Sequence, residues 1–216
     1  MLLGLVGENY DTNDRPTQNE RHREKARKHK AARDRIMATK TGEKGLLIVH
    51  TGTGKGKTSA ALGMVFRHIG HGFPVAVVQF TKSPAWDTGE AKLLAKFDEL
   101  VTLHIMGEGF TWETQDRERD IAAATKGWER AKELIRDDRH RLVLLDELNI
   151  VLRYDYLDIN EVVAFIRAEK PDDKHVVITG RNARPELIEM ADLVTEMTLV
   201  KHPFRAGVKA QKGIEF

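Results

Sequence analysis

The sequence of 216 residues contains no cysteine. Disulfide bonds, thiolate nucleophiles and cysteine-ligated metals are therefore excluded, which removes several classes of enzyme. Long apolar runs are missing too, since no stretch approaches the roughly 18 to 20 uninterrupted apolar residues of a membrane helix. The apolar start at 1–6 is too short for the core of a signal peptide. We therefore expect a cytoplasmic protein that does not enter a membrane.

The formal net charge is only +2, but its distribution is uneven. The first 40 residues carry a crowd of basic side chains: Arg15, Arg21, Arg23, Lys25, Arg27, Lys28, Lys30, Arg33, Arg35 and Lys40. Such a segment can contact nucleic acid, an acidic partner or phosphates, although a solvated helix or partly disordered arm is the commoner structure. Residues 20–38 lack glycine and proline. We expect an N-terminal arm at 1–40 that is helical from about residue 20.

From Gly45 onward, short apolar runs alternate with helical patterns, which is typical of a parallel sheet covered on both faces. Several runs are continuous rather than alternating, as buried parallel strands are. The predicted strands are 46–50, 75–80, 101–106, 142–146, 176–179 and 193–197. We therefore expect an α/β domain at 41–216 with a doubly wound, mostly parallel sheet of about six strands.

Two helices of this domain can be placed from the sequence. Residues 57–69 predict one that ends at Gly70 or Gly72, because glycine readily adopts the left-handed conformation after a helix. A second helix is predicted with Thr114 as its N-cap. Its apolar stripe consists of Ile121, Ala124, Trp128, Ala131 and Ile135. We expect Trp128 to lie in the core.

A glycine-rich segment, HTGTGKGKTSAA, directly follows the first predicted strand and opens a helix. This is the context in which a Walker A loop, or P-loop, binds nucleotide phosphates. Glycines permit backbone conformations in which N–H groups point at phosphate oxygens beside the positive end of a helix. The pattern predicts binding of ATP with a divalent metal. The candidate binding residues are Gly52, Thr53, Gly54, Lys55, Gly56, Lys57, Thr58 and Ser59.

Within this loop, Lys57 supplies a mobile positive charge and Thr58 the hydroxyl expected to coordinate Mg²⁺ or Mn²⁺. Spacing does not determine the contacts of Lys55 and Ser59. Thr51 stands where the usual pattern has its first glycine, so the type of reaction is more open than nucleotide binding. A glycine-rich turn without a ligand is the alternative structure.

Polar residues follow two other predicted strands, at the edge of the sheet where ligands bind in open α/β folds. Asp146 and Glu147 can hold Mg²⁺ directly or through water, and we prefer Glu147 as the ligand with Asp146 as its close partner. A helix N-cap or a strand-end salt bridge is the alternative role for them. Arg181 is a candidate contact for phosphate or substrate, with a surface salt bridge as its alternative.

The segment GEGFTWETQ, at 107–115, places Phe110 and Trp112 on a loop at the same edge. Aromatic side chains there could form an apolar platform for a large flat ligand, or could pack the loop itself. Because motors, kinases and GTPases share a nucleotide loop, features of this kind must decide the function.

Several motifs, taken in order along the chain, resemble those of the bacterial ATP:corrinoid adenosyltransferases. They are GTGKGKTSAALG at 52–63, GEGFTWETQ at 107–115, LLDELN at 144–149, YDYL at 154–157, TGR at 179–181 and the tail VKHPFRAGVKAQKGIEF from Val200. Thr51 looks like this family's own form of the loop. The resemblance implies a RecA-like P-loop fold and transfer of the 5′-deoxyadenosyl group of ATP to Co(I) of a reduced corrinoid, with release of triphosphate. The pathway implied is adenosylcobalamin biosynthesis or salvage.

The resemblance also implies how the residues act. ATP is held in the reverse sense to P-loop hydrolases, so that C5′ reacts while Lys57, with added charge from Lys55 and Arg181, stabilises the leaving triphosphate. Phe110 and Trp112 resemble an aromatic pair beneath the corrin ring that displaces the lower axial ligand and eases reduction of Co(II) to Co(I). The implied partners are ATP, a reduced corrinoid, an electron-donating flavoprotein reductase and a second copy in a homodimer, whose N-terminal segment can fold over the corrinoid site.

A RecA-like ATPase acting on nucleic acid is the alternative from another class, with the basic arm as its electrostatic footprint and Glu147 activating water. It should release ADP and phosphate and respond to DNA or RNA. A non-catalytic, nucleotide-gated binding module would bind ATP without turnover.

Overall fold

The computed structural model describes residues 17–107, 109 and 116–215. The chain divides into two compact units, at 1–43 and 44–216. In the first unit, helix α1 spans Gln18–Ala38, which confirms the helix predicted from about residue 20. The Thr17 hydroxyl accepts the Glu20 N–H at 3.3 Å, and the Glu20 carboxylate accepts the Thr17 N–H at 2.7 Å. This capping box fixes the start of α1, of which no residue is buried.

A single sheet forms the centre of the second unit. Its strands are β1 (Leu47–Thr51), β2 (Val75–Gln79), β3 (Val101–Ile105), β4 (Leu142–Asp146), β5 (His175–Thr179) and β6 (Leu193–Glu196). The strand order is β3-β2-β4-β5-β1-β6, and every neighbouring pair is parallel. The predicted α/β fold is therefore confirmed, and each strand end lies within one residue of its predicted position.

The helices of this unit connect the strands. They are α2 (Lys57–Gly70), α3 (Gly89–Leu94), α4 (Arg117–Arg136), α5 (Leu148–Arg153), α6 (Ile159–Glu169) and α7 (Pro185–Met190), with short 3₁₀ helices at Ala95–Phe97 and Pro203–Ala206. Helix α2 ends at Gly70, as predicted. Gly72, just after it, has the left-handed conformation, with a φ of 73°. The predicted N-cap of α4 was wrong, because the Asp116 side chain caps it by accepting the Arg119 N–H at 3.1 Å. Thr114 itself lies outside the described residues.

Apolar clusters cover both faces of the sheet. Successive residues of β4 alternate between them, with Leu145 packing into the cluster around Trp128 and Leu144 into the cluster around Val65 of α2. Trp128 is only 1% exposed, which confirms it as a core residue, and its ring meets Phe165 edge-on at 5.3 Å. Within the described ranges, no helix has both the length and the apolar character of a membrane span.

The strand order also determines which loops meet. Strand β5 lies between β1 and β4, so the loop after β5 emerges between the phosphate loop and the carboxylates that end β4. All three lie at the carboxyl edge of the sheet, where ligands bind in folds of this kind.

Trp128→Ala should lower the free energy of unfolding by about 3 to 5 kcal/mol, because it leaves a cavity in a fully packed cluster. Trp128→Phe should cost less, since a ring remains against Phe165. Urea denaturation measures both. Phe66→Ala is the control, because Phe66 is 37% exposed and its loss should cost under about 1 kcal/mol. Equal losses at the two positions would contradict this description of the core.

Candidate active site

The phosphate loop joins β1 to α2 and ends at Gly56, the N-cap of α2. Gly56 has a φ of 105°, a conformation that strongly favours glycine. Lys57 begins α2 and is only 7% exposed. Its Nζ donates to the carbonyl oxygens of Gly52, at 3.0 Å, and Gly54, at 2.5 Å. The ammonium group therefore lies inside the curve of the loop, and its burial lowers the pKa of Lys57.

Gly52 and Gly54 are required by a neighbouring part of the chain. A Cβ on Gly52 would lie 2.5 Å from the carbonyl oxygen of Met197, and one on Gly54 would lie 2.7 Å from the same atom. The Gly54 N–H donates to that oxygen at 2.6 Å. The segment that follows β6 thus packs directly on the phosphate loop, and the Gly54 amide, which we expected to face phosphate, bonds to the protein itself.

Asp146 ends β4 and has no exposed surface. Its Oδ1 accepts the hydroxyls of Thr58 and Thr179, each at 2.8 Å. Its Oδ2 lies 3.2 Å from the donating amide of Gln79 and 3.3 Å from the ammonium group of Lys82. Four donors thus offset the cost of burying this carboxylate. Through them, Asp146 ties together the ends of β2, β4 and β5 and the start of α2.

Lys82 is the partly buried counter-ion of this arrangement. It follows β2, and its Nζ also pairs with Glu90 of α3 at 2.6 Å. Burial opposes the charged form, but the carboxylates of Asp146 and Glu90 raise the pKa of Lys82. The ammonium group therefore stays charged. Lys82 and Gln79 were not predicted as site residues, although their place at the carboxyl end of a strand is a weak signal for such a role.

Glu147 has a different environment from Asp146. Its backbone is left-handed, with a φ of 65°, and its N–H donates to the Thr179 hydroxyl at 2.9 Å. Its carboxylate has no hydrogen-bond or salt-bridge partner among the described residues. Burial and the charge of Asp146 raise the pKa of Glu147 to about 7, although Lys57, Lys82 and Arg181 act in the opposite direction.

Arg181 follows β5 on an exposed part of the loop. Gly180 and Asn182 on either side have φ values of 128° and 57°. Its positive charge adds to the effect of burial in lowering the pKa of Lys57, and it partly opposes the rise in the pKa of Glu147. The surface salt bridge that we considered for Arg181 is not formed within the described part of the chain.

The remaining polar residues of the phosphate loop lie at the surface. Thr53, Lys55 and Ser59 are all exposed. Lys55 forms an ion pair with Glu215, which places the C-terminal tail against the phosphate loop. The sequence did not determine the position of this tail.

Phe110 and Trp112 lie outside the described residues. Gly107, just before them, packs tightly on the end of β2, since a Cβ there would lie 2.3 Å from the carbonyl carbon of Thr81. The segment therefore starts at the ligand edge of the sheet. The expected role of the two aromatic residues stays a prediction.

The oxygen atoms gathered here suit a magnesium ion. Thr58, Asp146 and Glu147 supply the hard oxygen donors that Mg²⁺ prefers, and the Glu147 carboxylate forms no ion pair within the described part of the chain. No cluster of three histidine or carboxylate ligands occurs within the described residues. Mg²⁺ usually keeps several waters and takes further oxygens from a phosphate substrate, so it does not need such a cluster.

Comparison with known proteins decides the family. Residues 43–216 match the family model described as ATP:corrinoid adenosyltransferase BtuR/CobO/CobP. The chain belongs to this family. Adenosyl transfer from ATP to a corrinoid is the general reaction of its members, so the resemblance found in the motifs is confirmed.

Curated relatives agree along nearly the whole chain. The corrinoid adenosyltransferases of Sinorhizobium sp, Pseudomonas aeruginosa and Escherichia coli are 64%, 54% and 45% identical to it. The matches cover 91%, 94% and 91% of this chain and 92%, 100% and 98% of those proteins. Among solved structures, the flagellar accessory protein FlaH from Methanocaldococcus jannaschii is similar, with a TM-score of 0.52 and 10% identity over 71% of each chain. That likeness concerns the fold alone and confirms the predicted RecA-like P-loop architecture.

Glu147→Gln should stabilise the free protein at alkaline pH. The pKa of Glu147 is raised from 4.5 to about 7 in the folded chain, so the folded state keeps a proton that the unfolded state has released. The free energy of unfolding of the wild type therefore falls as the pH rises through this interval. At about pH 8 we expect the free energy of unfolding of the variant to exceed that of the wild type by on the order of 3 kcal/mol. This difference should vanish as the pH falls towards 4.5, the pKa of Glu147 in the unfolded chain.

Urea denaturation at a series of pH values in the presence of a chelator measures this difference. A stability difference that does not change with pH would contradict the environment described for Glu147.

Proposed function

We propose that this protein transfers the 5′-deoxyadenosyl group of ATP to the Co(I) ion of a reduced corrinoid and releases triphosphate, in the synthesis or salvage of adenosylcobalamin. The family match over residues 43–216 carries this proposal. The site geometry supports it, because a phosphate loop, several cations and a pair of carboxylates meet at one edge of the sheet.

The reaction requires little chemistry from the protein itself. The electron pair of Co(I) attacks C5′, a cobalt–carbon bond forms, and the bond from C5′ to its phosphate oxygen breaks. Triphosphate leaves with the electron pair of that broken C5′–O bond, and the cobalt becomes Co(III). The nucleophile belongs to the corrinoid substrate, so no general base is needed. The protein has to hold C5′ in line with cobalt, neutralise the charge on the leaving group and exclude water.

The described side chains can perform the charge neutralisation. Lys57 rests on the carbonyl oxygens of Gly52 and Gly54, and a triphosphate oxygen is a stronger acceptor for its ammonium group. The N-terminus of α2 adds its partial positive charge at the same place. Arg181 supplies a further cation from the loop after β5, and Lys55 can add one when its ion pair with Glu215 opens.

The same site would also bind Mg²⁺ or Mn²⁺. Thr58 and Glu147 would hold the ion, while Asp146, whose two oxygens already receive four donors, would orient the Thr58 hydroxyl. The metal would supply positive charge to the leaving triphosphate. This assignment agrees with our preference for Glu147 from the sequence.

The proposal includes several partners. Because the Co(I) substrate has to be produced by one-electron reduction of Co(II), we expect an electron-donating flavoprotein reductase as a partner, and Phe110 with Trp112 would favour the reduction by excluding a lower axial ligand. We propose that the enzyme works as a homodimer in the cytoplasm, where ATP is available.

The identity of the products tests the proposed function. Purified protein with ATP, Mg²⁺ and a chemically reduced corrinoid under strict anaerobiosis should form triphosphate and adenosylated corrinoid in equal amounts. ADP and phosphate, formed faster with DNA or RNA, would instead support the nucleic-acid ATPase. ATP binding without any product would support a binding module. Lys57→Met should slow triphosphate release roughly 100-fold, whereas Lys126→Met, an exposed lysine on α4, should not.

The metal ligand can be tested separately. Glu147→Gln should raise the Mg²⁺ concentration needed for half-maximal activity by at least about tenfold, because it removes a ligand charge. Glu189→Gln, at an exposed carboxylate of α7, is the matched control. If Asp146→Asn shifts the metal dependence and Glu147→Gln does not, Asp146 is the ligand instead.

A further inference from the structure

Thr51 stands at the position where the usual phosphate loop has its first glycine. It is the last residue of β1 and only 7% exposed. Its φ is not positive, in contrast to those of Gly52 and Gly56. The backbone therefore does not need a glycine at this position, and the side chain can be selected for its contacts.

The Thr51 side chain binds a different part of the site. Its hydroxyl oxygen accepts the N–H of Ala183 at 2.9 Å. Ala183 belongs to the loop that follows β5, and β5 is the neighbour of β1 in the sheet, with His50 opposite Thr179. A glycine at position 51 could not make this bond. The side chain thus tethers the loop after β5 to the base of the phosphate loop.

A second tether holds the other end of the same loop. Asn149 is fully buried, and its Nδ2 donates to the carbonyl oxygen of Gly180 at 3.1 Å. A Cβ on Gly180 would lie 2.8 Å from the Cβ of Asn149, so the loop after β5 and the start of α5 are in close contact. Arg181 stands between the two tethers, next to the left-handed residues Gly180 and Asn182.

We propose that Thr51 is a positioning residue, whose hydroxyl holds the loop after β5 so that the guanidinium of Arg181 faces the triphosphate of ATP. This inference rests on the proposed function, in which ATP is the substrate and triphosphate the leaving group. An arginine on an untethered loop has to be ordered when the ligand binds, and that ordering reduces affinity. The bond to Ala183 removes part of this cost beforehand.

A double-mutant cycle on ATP affinity tests the coupling. The dissociation constant for ATP with Mg²⁺ is measured by titration calorimetry for the wild type, Thr51→Val, Arg181→Met and the double variant. Valine keeps the shape of threonine, with a methyl group in place of the hydroxyl, so it cannot accept the Ala183 N–H. We expect Thr51→Val to weaken binding about tenfold in the wild-type background, and to have little further effect once Arg181 is methionine.

Further variants separate this role from folding. Thr51→Ser keeps the hydroxyl and should restore affinity close to that of the wild type. Thr51→Ala replaces Thr51→Val if the latter is insoluble. A purely structural role for Thr51 would lower the melting temperature but give equal losses of affinity in both backgrounds, and that result would overturn the proposal. Unchanged affinity in Thr51→Val would overturn it as well.

The double-mutant cycle measures ATP binding alone and does not require adenosyl transfer. If the wild type releases no triphosphate in the product assay, the proposed function fails, while the coupling between Thr51 and Arg181 is still measured by ATP binding.

Discussion

The site is organised around one buried carboxylate, that of Asp146. An unpaired carboxylate without contact to water would be very unfavourable, so the chain must bring donors to it. Thr58, Thr179, Gln79 and Lys82 supply them from three different segments, the start of α2, the end of β5 and the end of β2 with the residues just after it. Satisfying this one group therefore fixes how the start of α2 sits relative to the ends of β2, β4 and β5. The part of the site around Asp146 is therefore preorganised for ligand binding.

The charges around Asp146 explain why the site suits an anionic substrate together with a metal. Lys57, Lys82 and Arg181 bring three cations close to Glu147, yet burial and the neighbouring Asp146 still raise the pKa of Glu147 to about 7. Asp146 is thus fully bonded, whereas the Glu147 carboxylate has no bonded partner among the residues that the structure describes. In the proposed function, a divalent cation would supply positive charge beside Glu147, and a triphosphate would compensate Lys57 and Arg181. The bound ligands would then complete the charge balance at this edge.

Local patterns in the sequence were sufficient for the six strands, for two of the helices and for the phosphate loop. Continuous apolar runs predicted six strands to within one residue at each end, because burial on both faces leaves a strong signal. The start of α4 was missed, since Thr114 and Asp116 are both good caps and propensity does not choose between them. Lys82 was missed for a different reason: an isolated lysine after a strand has no motif, and only the fold reveals that Glu90 and Asp146 surround it.

The sequence by itself determined that this chain has a P-loop α/β fold, and its motifs in order indicated the corrinoid adenosyltransferase family. The fold follows from local spacing and periodicity, and the family from the resemblance of these motifs to those of known proteins. Only the tertiary structure decided the order of strands, which places β5 between β1 and β4 and so brings Arg181 between the phosphate loop and Glu147. It also showed that the Thr51 hydroxyl bonds to the Ala183 N–H, and that a Cβ on Gly52 or Gly54 would clash with the segment after β6. These are contacts between segments far apart in the chain, and they follow from packing rather than from any local pattern.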